Sequence, residues 1–280
     1  MMRIAVTGYK GRLGSELVRR GCIPITSDIT DPIRLPMELT ETQPYPYKYD
    51  AIINCAAFTD VSACESDEGY KKALHSNYYG VKNLRDAFKG LIVHISTDYV
   101  FDGKKGPYSE TSPLSPAVNA YGITKLGAEV FLRMCPLPYC IVRTTCLYDT
   151  YIQEDFVSAT LGGLKFDGFR ATTKLSGNPT YVPHLAEAIM KLIELPKLPE
   201  IIHLVGREVL TRYEFALMIA NVFGYDKKFV MPTNELFGAG NRPAKGGLKT
   251  KLAEKLGLPI YSVVEGLKQY KEDLKNVSNM

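Results

Sequence analysis

The segment SPAVNAYGITKLGAEVFL holds a tyrosine and a lysine four residues apart, Tyr121 and Lys125. Residues at positions i and i+4 lie on one face of a helix, so these two side chains are predicted to project side by side. A phenol ordinarily titrates at about 10, and a neighbouring ammonium favours its ionised form. The pair therefore indicates a proton donor that a cation tunes, while a solvated helix surface is the alternative explanation of the same spacing.

A hydroxyl that fits the same chemistry ends the apolar segment LIVHIST, at Thr97. The segment is typical of a buried strand, and ligands of open parallel sheets bind at the carboxyl ends of the strands. A hydroxyl at that end can hold the oxygen that a tyrosine protonates. Thr97, Tyr121 and Lys125 are thus the candidate catalytic residues, and a turn or cap is the competing role for Thr97.

The segment TGYKGRLG has glycines at Gly8, Gly11 and Gly14, between a first apolar strand and a helix. Glycines permit a tight turn and a close approach of the backbone to a pyrophosphate, whose charge the amides of a helix N-terminus attract. The spacing differs by one step from the G-x-G-x-x-G pattern. The loop predicts a dinucleotide site, with an ordinary glycine-rich turn as the alternative.

Three side chains bear on which dinucleotide binds. Asp28 lies about 20 residues beyond the glycines, where an acidic residue receives a ribose 2′-hydroxyl and favours NAD. Lys10 and Arg12 lie inside the loop, where a cation can pair with a 2′-phosphate and favour NADP. Surface solubility is the alternative role for these two cations.

Short apolar runs alternate with helical patterns, which is typical of βαβ units wound into a parallel sheet. We predict an α/β fold with a Rossmann-like, doubly wound parallel sheet. Residues 1–150 are expected to form the NAD(P)-binding domain, and residues 151–280 mainly a smaller substrate-binding portion, with some segments returning to the first. The predicted strands are RIAVTG, CIPIT, AIINCAA, LIVHIST and YCIVRTT, and residues 65–89 are predicted to be helical.

Composition narrows the class of protein. The 280 residues are 45% hydrophobic, enough for a sizeable core. The 34 basic and 30 acidic residues are interspersed, so no nucleic-acid partner is expected. No apolar run reaches the roughly 20 residues of a membrane span, and no secretory leader is recognisable, which predicts a cytoplasmic protein. Six cysteines without zinc spacing are expected to be reduced thiols, and no metal site is predicted.

Several motifs, taken in order, resemble the extended short-chain dehydrogenase/reductases, and within them the dTDP-4-dehydrorhamnose reductase family, which reduces a 4-keto nucleotide sugar. The resemblance covers nearly the whole chain, and STDYVFDG is its most specific motif. The other matching segments are TGYKGRLG, DITDP, NCAAFTDVSACE, NAYGITK, GNPTYVPHLAEAI and NRPAKGGL.

The resemblance implies roles for residues at the matching positions. It implies that Asp28 and Ile29 hold the adenine, and that Asn77 supports the lysine. Together with the residues themselves, it predicts that the cofactor is bound by Gly8, Lys10, Gly11, Arg12, Leu13, Gly14, Asp28, Ile29, Cys55, Ala56, Ala57, Asn77, Ser96, Tyr121 and Lys125. The predicted substrate-binding residues are Thr97, Asp98, Tyr99, Cys146 and Arg242, the last as a cation that can pair with the pyrophosphate of a nucleotide sugar.

The chain departs from the family on the substrate side. Cys146 in RTTCLY takes the position of a tryptophan that would stack on the sugar, and the chain contains no Trp. A cysteine offers no flat apolar face, so the sugar is held differently or is a different sugar. Thr26 and Ser27 are expected near the cofactor ribose with no clear acidic partner, which weakens the case for NAD. NADP(H) is therefore the favoured cofactor and NAD(H) the alternative.

The function that these features predict is NADPH-dependent reduction of the 4-keto group of a nucleotide-linked 4-keto-6-deoxy sugar, which in the family forms dTDP-L-rhamnose. One alternative is an epimerase or epimerase/reductase on the same fold. Another is a non-catalytic regulatory subunit like that of methionine adenosyltransferase, against which the intact Thr97, Tyr121 and Lys125 argue. The sequence leaves open the sugar, the nucleotide base and whether the chain forms a homodimer.

Overall fold

The computed structural model describes residues 2–40, 47–152, 154–236 and 241–278. Its strands are β1 (Ile4–Thr7), β2 (Ile23–Pro24), β3 (Ala51–Asn54), β4 (Leu91–Thr97), β5 (Tyr139–Thr144), β6 (Leu147–Tyr148), β7 (Phe169–Thr172), β8 (Ser176–Gly177), β9 (Thr180–Tyr181), β10 (Ile201–His203), β11 (Leu210–Thr211) and β12 (Val230–Thr233). Its helices are α1 (Arg12–Arg19), α2 (Arg34–Leu39), α3 (Asp67–Leu74), α4 (Gly80–Ala87), α5 (Ala120–Met134), α6 (Phe156–Leu164), α7 (Val182–Ile193), α8 (Arg212–Phe223), α9 (Lys251–Lys255) and α10 (Val263–Ser278).

In the part of the chain that is described, six strands form one parallel sheet in the order β10-β5-β4-β3-β1-β2. The chain winds outward in both directions from β1, with β2 on one side and β3 on the other. This reversal makes the carboxyl ends of β1 and β3 the switch point where ligands of such sheets bind. The predicted α/β class and the Rossmann-like parallel sheet are confirmed.

The sheet is buried on both faces, which is why its strands are nearly continuous apolar runs. On one face, Val6 of β1 and Val93 of β4 pack against α1 and α7 in one core cluster. On the other face, Ala5 and Ile92 pack with α2 and α4 in a second cluster. Consecutive strand residues thus point to opposite layers, as the pleat requires.

The later part of the chain forms a second group of elements beside the carboxyl ends of the strands. Helices α6, α8 and α10 meet around aromatic rings that include Tyr148, Phe215 and Tyr270. The paired strands β7 with β12, β8 with β11 and β6 with β9 lie outside the main sheet. Strand β10 joins the main sheet beside β5.

The helix predicted over residues 65–89 consists of two α-helices joined by a turn. Helix α3 continues through a π-helical turn, His75–Tyr79, into α4. The extra residue that a π turn accommodates is typical of functional positions in helices. No helix within the described ranges combines the length and apolar character needed to cross a membrane.

Candidate active site

The glycine loop forms a phosphate cradle between β1 and α1. Gly8 has φ +64°, and a Cβ there would lie 2.6 Å from the backbone nitrogen of Ala56. A Cβ on Gly14 would lie 2.2 Å from the carbonyl oxygen of Gly8. Gly11 begins the helix without a side-chain cap, so the first amides of α1 are directed at the space above the loop. Positively polarised amides at such a bare helix start suit a pyrophosphate.

A crevice of about 430 Å³ opens above this loop at the carboxyl ends of the central strands. Such a volume lies in the range of cofactor and ligand sites. Ten of the residues predicted to bind the cofactor line it: Gly8, Gly11, Arg12, Leu13, Gly14, Cys55, Ala57, Ser96, Tyr121 and Lys125. Residues that the sequence did not single out also line it: Thr59, Val61, Ile95, Thr144, Thr145, Leu147, Ile152 and Arg212.

The other predicted cofactor residues do not belong to the lining of this crevice. Asp28 Oδ1 accepts hydrogen bonds from the backbone N–H and the hydroxyl of Thr30, both at 2.8 Å. Ile29 is buried in the core beside α4. Lys10 is exposed, with its Nζ 5.6 Å from the centroid of the Tyr9 ring. Ala56 contributes its backbone to the floor under Gly8, through the close approach described above.

Arg12 is engaged within the protein. Its Nε lies 3.0 Å from Asp149 Oδ2, in a salt bridge whose carboxylate is almost fully buried. Its guanidinium also donates to the carbonyl oxygens of Ile152 at 3.2 Å and Glu154 at 2.8 Å. Arg12 therefore joins the glycine loop to the segment before α6, and of the two loop cations Lys10 is the one left at the surface.

The segment after β2 has an acidic partner that was not predicted from the sequence. Glu38 in α2 accepts from the backbone N–H of Thr26 at 2.8 Å and of Ser27 at 2.7 Å, and from the Thr26 hydroxyl at 3.0 Å. Burial opposes ionisation of Glu38, yet these donors hold its pKa below the usual value. The expectation that Thr26 and Ser27 lack an acidic partner is therefore wrong, because α2 folds back over the end of β2.

Thr97 and Tyr121 meet at the end of β4. The two side chains are hydrogen-bonded, and Thr97 Oγ1 also accepts from the backbone N–H of Tyr99 at 3.2 Å. Helix α5 comes this close because Gly122 has no side chain: a Cβ there would lie 2.3 Å from the Tyr99 carbonyl oxygen. Asn119 caps the helix by accepting from the Gly122 N–H at 2.7 Å. The start of α5 is thus fixed against the turn that follows Thr97.

The pKa of Tyr121 is raised, contrary to the expected effect of Lys125. Burial is the main cause, the neighbouring Tyr99 and Asp98 add to it, and the hydrogen bond with Thr97 acts in the opposite direction. The Tyr99 and Tyr121 rings pack edge to face with centroids 5.8 Å apart. Tyr121 is therefore a protonated phenol throughout the neutral range, which is the state that a proton donor requires.

Lys125 lies buried one turn further along α5. Its Nζ donates to the carbonyl oxygen of Ile95 at 2.7 Å and lies 3.2 Å from His94 Nε2. Burial lowers the pKa of Lys125 to about 8, while Glu129 and Cys55 act in the opposite direction. The lysine can therefore gain and lose a proton close to neutral pH.

Asn77 occupies the π-helical turn and is fully buried. Its Oδ1 accepts from the Phe58 N–H at 2.7 Å, and its Nδ2 donates to the Phe58 carbonyl oxygen and to Thr124 Oγ1, both at 3.0 Å. Thr124 directly precedes Lys125. Asn77 thus braces α5 beside the lysine and holds the strand-end loop at Phe58.

A second cavity of about 760 Å³ adjoins the crevice on the side of the later elements. The five residues that line both spaces are Asp98, Tyr99, Thr145, Cys146 and Arg212. Burial raises the pKa of Asp98, although hydrogen bonds from Thr145, Gly247 and Thr97 oppose this shift. Of the predicted substrate residues, Asp98, Tyr99, Cys146 and Arg242 line the larger cavity, and Thr97 lines the crevice beside it.

Cys146 lies at the junction with an unusual backbone conformation. Its φ of +53° is uncommon for a residue with a side chain. Its Sγ lies 3.0 Å from the position that a Cβ on Gly177 would take, and 3.4 Å from Thr145 Oγ1. A small side chain is thus packed closely at the position where the resemblance implied a tryptophan.

Three arginines and three aromatic rings, those of Tyr99, Phe156 and Phe169, line the larger cavity. Arg242 donates to Tyr99 OH at 3.4 Å and to Ser62 Oγ at 3.2 Å. Arg170 and Arg212 approach from β7 and the start of α8, and the Arg212 guanidinium lies 5.0 Å from the centroid of Phe156. Such guanidinium groups can bind phosphate oxygens in pairs.

Arg170, Arg212 and Phe156 are cavity residues that were not predicted from the sequence. A signal was present for Arg212, because TRYE matches a capping box that marks the start of a helix. The structure has this box, with Thr211 and Glu214 bonded to each other's backbone. A capping box, however, predicts only where a helix begins, and does not predict that its first residue, Arg212, faces the cavity.

The chain is similar to a known protein family and to several individual proteins. Residues 2–276 match the family model described as RmlD substrate binding domain. The spore coat polysaccharide biosynthesis protein SpsK of Bacillus subtilis is 32% identical over 98% of each chain. The methionine adenosyltransferase 2 subunit beta of Xenopus tropicalis is 30% identical over 76% of this chain and 66% of its own length.

Two solved structures are similar over nearly their whole length. A dTDP-4-dehydrorhamnose reductase from Clostridium acetobutylicum has a TM-score of 0.86 and 32% identity, covering 98% of this chain and 100% of its own. The dTDP-4-dehydrorhamnose reductase of Bacillus anthracis, solved in complex with NADP, has a TM-score of 0.87 and 28% identity, covering 97% and 99%. The chain therefore belongs to the RmlD substrate binding domain family, and with it to the dTDP-4-dehydrorhamnose reductase family of extended short-chain dehydrogenase/reductases.

Proposed function

We propose that the protein is an NADPH-dependent oxidoreductase that reduces the 4-keto group of a nucleotide-linked 4-keto-6-deoxy sugar. The observation that carries this proposal is that the crevice and the larger cavity adjoin and have five lining residues in common. The crevice above the glycine loop and the cavity lined by arginines share a wall, and Thr97 and Tyr121 lie beside it. A dinucleotide in the first and a nucleotide sugar in the second would bring their reacting ends together there.

NADPH, when bound, supplies the hydride that adds to the carbonyl carbon. The glycine loop and the bare start of α1 would hold its pyrophosphate. The NADP complex of the Bacillus anthracis relative supports this choice of cofactor. Lys10, exposed beside the loop, is the cation proposed for the 2′-phosphate.

Tyr121 supplies the proton in this reaction. As the carbonyl becomes an alkoxide, the O–H bond of Tyr121 breaks and a new O–H bond forms on the sugar. An alkoxide is a stronger base than a phenolate, so the transfer is downhill even with the raised pKa of Tyr121. Thr97, bonded to the phenol, is positioned to hold the same oxygen, and Lys125 can return a proton to Tyr121 between turnovers.

The arginines of the larger cavity suit the diphosphate of a nucleotide sugar. Arg242, Arg212 and Arg170 bring positive charge to the lining of this cavity, with Arg170 also paired with Glu235 at 3.3 Å, and a pyrophosphate carries the complementary charge. Phe156 offers an apolar ring in the same cavity, which supports binding of a sugar or base without the missing tryptophan.

A regulatory subunit is the second candidate, because a methionine adenosyltransferase subunit is among the relatives. A binding protein has no chemical need for a buried phenol, hydroxyl and lysine around one crevice. The two candidates differ in turnover, which decides between them.

The test is to mix the purified protein with NADPH or NADH and dTDP- or UDP-linked 4-keto-6-deoxy sugars, and to follow cofactor oxidation by absorbance. We expect oxidation of NADPH and a sugar product that carries a 4-hydroxyl. Cofactor binding without oxidation for every sugar offered would refute the reductase proposal and favour the regulatory subunit.

A further inference from the structure

A line of polar side chains crosses the sheet behind Lys125. It begins at β1, where Thr7 Oγ1 accepts from the Ala56 N–H at 3.3 Å. The Thr7 hydroxyl donates to Asn54 Oδ1 at 2.6 Å, and Asn54 Nδ2 lies 3.1 Å from His94 Nδ1. His94 Nε2 then lies 3.2 Å from Lys125 Nζ. The line thus runs from β1 through β3 and β4 to the lysine of α5.

The hydrogen bonds along this line indicate where the imidazole proton lies. Thr7 Oγ1 receives the Ala56 N–H and donates its own proton to the Asn54 carbonyl oxygen. The amide NH2 of Asn54 then donates to His94 Nδ1. A neutral imidazole whose Nδ1 accepts carries its proton on Nε2. Burial keeps the pKa of His94 well below its usual value, and the Lys125 charge acts in the same direction, so the ring is neutral.

An N–H group aimed at Nζ distinguishes between the two forms of a lysine. An ammonium has three donors and no acceptor, whereas an amine has a lone pair. Because Nζ already donates to the Ile95 carbonyl oxygen at 2.7 Å, the amine satisfies both neighbours. The ammonium would face the His94 N–H donor to donor.

We propose that His94 is a positioning residue for Lys125, which holds Nζ by donating its Nε2–H to the lysine and thereby favours the amine over the ammonium. This inference rests on the proposed reductase function, in which Tyr121 must regain a proton after each turnover. A lysine that readily gives up its proton near neutral pH can supply it.

The titratable groups that face Lys125 come from three packed elements. Some favour the positive charge of Lys125 and one opposes it. His94 of β4 opposes the positive charge. Cys55, after β3, and Glu129 of α5 favour the charge. Tyr121 is the neighbour one turn earlier on α5, and its phenolate would draw the proton across.

The first test observes the native protein and needs no turnover. Long-range ¹H–¹⁵N spectra of the four histidine rings are recorded from about pH 6 to about pH 10, and His94→Gln identifies the signal of that ring. We expect His94 in the Nε2–H tautomer, with a shift whose midpoint is about pH 8 and which Lys125→Met abolishes. An Nδ1–H tautomer, or a ring that does not respond to Lys125, overturns the inference.

The second test measures the pH dependence of reduction in variants. His94→Leu removes the donor, so the loss of rate at high pH should move upward by about one pH unit. His94→Gln can present an amide N–H at the place of Nε2 and should restore the native midpoint. His203→Gln is the matched control, because His203 is also a fully buried strand histidine, and its profile should not move. An unshifted profile in a folded His94→Leu protein would overturn the inference.

The two tests separate this inference from the proposed function. If no nucleotide sugar is reduced but the His94 ring reports Lys125, the inference stands and the reductase proposal fails. If reduction occurs while the His94 ring is indifferent to Lys125, the inference alone fails.

Discussion

Replacing Glu129 by alanine is expected to be among the most destabilising single changes in the sheet–helix interface. Glu129 Oε1 accepts from Ser96 Oγ at 2.5 Å and from Arg143 Nε at 3.0 Å, and Oε2 accepts from the second Arg143 donor at 2.6 Å. The Glu129 side chain is 0% exposed and the Arg143 side chain is 1% exposed. Removing the carboxylate leaves the buried guanidinium without its hydrogen-bonded counterion, and only the face of Phe101, 4.9 Å away, and the longer-range charge of Glu110 are left to oppose its charge among the described contacts.

The magnitude follows from that burial. Breaking a buried ion pair by removing one member costs about 3–5 kcal/mol. For a chain of this size about 1 kcal/mol corresponds to about 2 °C in Tm, so the midpoint should fall by roughly 6–10 °C. The measurement is thermal unfolding followed by circular dichroism, with urea unfolding as a second determination.

Two comparisons make the result decisive. Glu68→Ala removes an exposed helical ion pair with Lys72 and should leave the unfolding midpoint unchanged within error. The double variant Glu129→Leu/Arg143→Met removes both charges and should recover most of the lost stability. A Glu129→Ala protein as stable as the native one, or a double variant as unstable as the single one, would contradict the reasoning.

Three further predictions concern catalysis and binding. Tyr121→Phe should lower kcat by about 100-fold or more with NADPH affinity unchanged, measured by steady-state kinetics and fluorescence titration; full activity would exclude Tyr121 as the proton donor. The Lys125 ammonium is lost as pH rises through its pKa of about 8, so steady-state reduction, in which Tyr121 must regain its proton after each turnover, should fall above that pH, and a flat profile would argue against its role. Glu38→Gln should raise the preference for NADPH over NADH by about fivefold, because about 1 kcal/mol of repulsion between carboxylate and 2′-phosphate is removed; unchanged Kd values for both cofactors would show that Glu38 lies too far from the ribose.

Local sequence patterns were sufficient to predict those site residues whose positions depend only on the end of a strand or on the spacing along a helix. The glycine loop follows directly on β1, Thr97 ends β4, and Tyr121 and Lys125 share a face of α5, so each position can be inferred from nearby sequence. The α/β class follows in the same way from alternating apolar runs. The division of the chain near residue 150 stays a prediction.

Residues brought in by packing could not be predicted in this way. Glu38 reaches Thr26 because α2 folds over the end of β2, which no periodicity indicates. Arg212 and Arg170 belong to elements outside the main sheet, and only the assembled cavity makes them neighbours. His94 carried a signal that was overlooked: a histidine within the apolar segment LIVHIST has to find buried polar partners.

The contacts of Arg12 imply thermodynamic coupling between the two ligands. One end of this residue lies in the loop that would cradle the pyrophosphate, and its guanidinium holds the backbone of Glu154, which lines the cavity for the second ligand. Occupancy of either space therefore restrains a wall of the other. By linkage, each ligand should raise the affinity for its partner by the same factor, so the order in which the two bind would alter the route to the ternary complex but not its free energy.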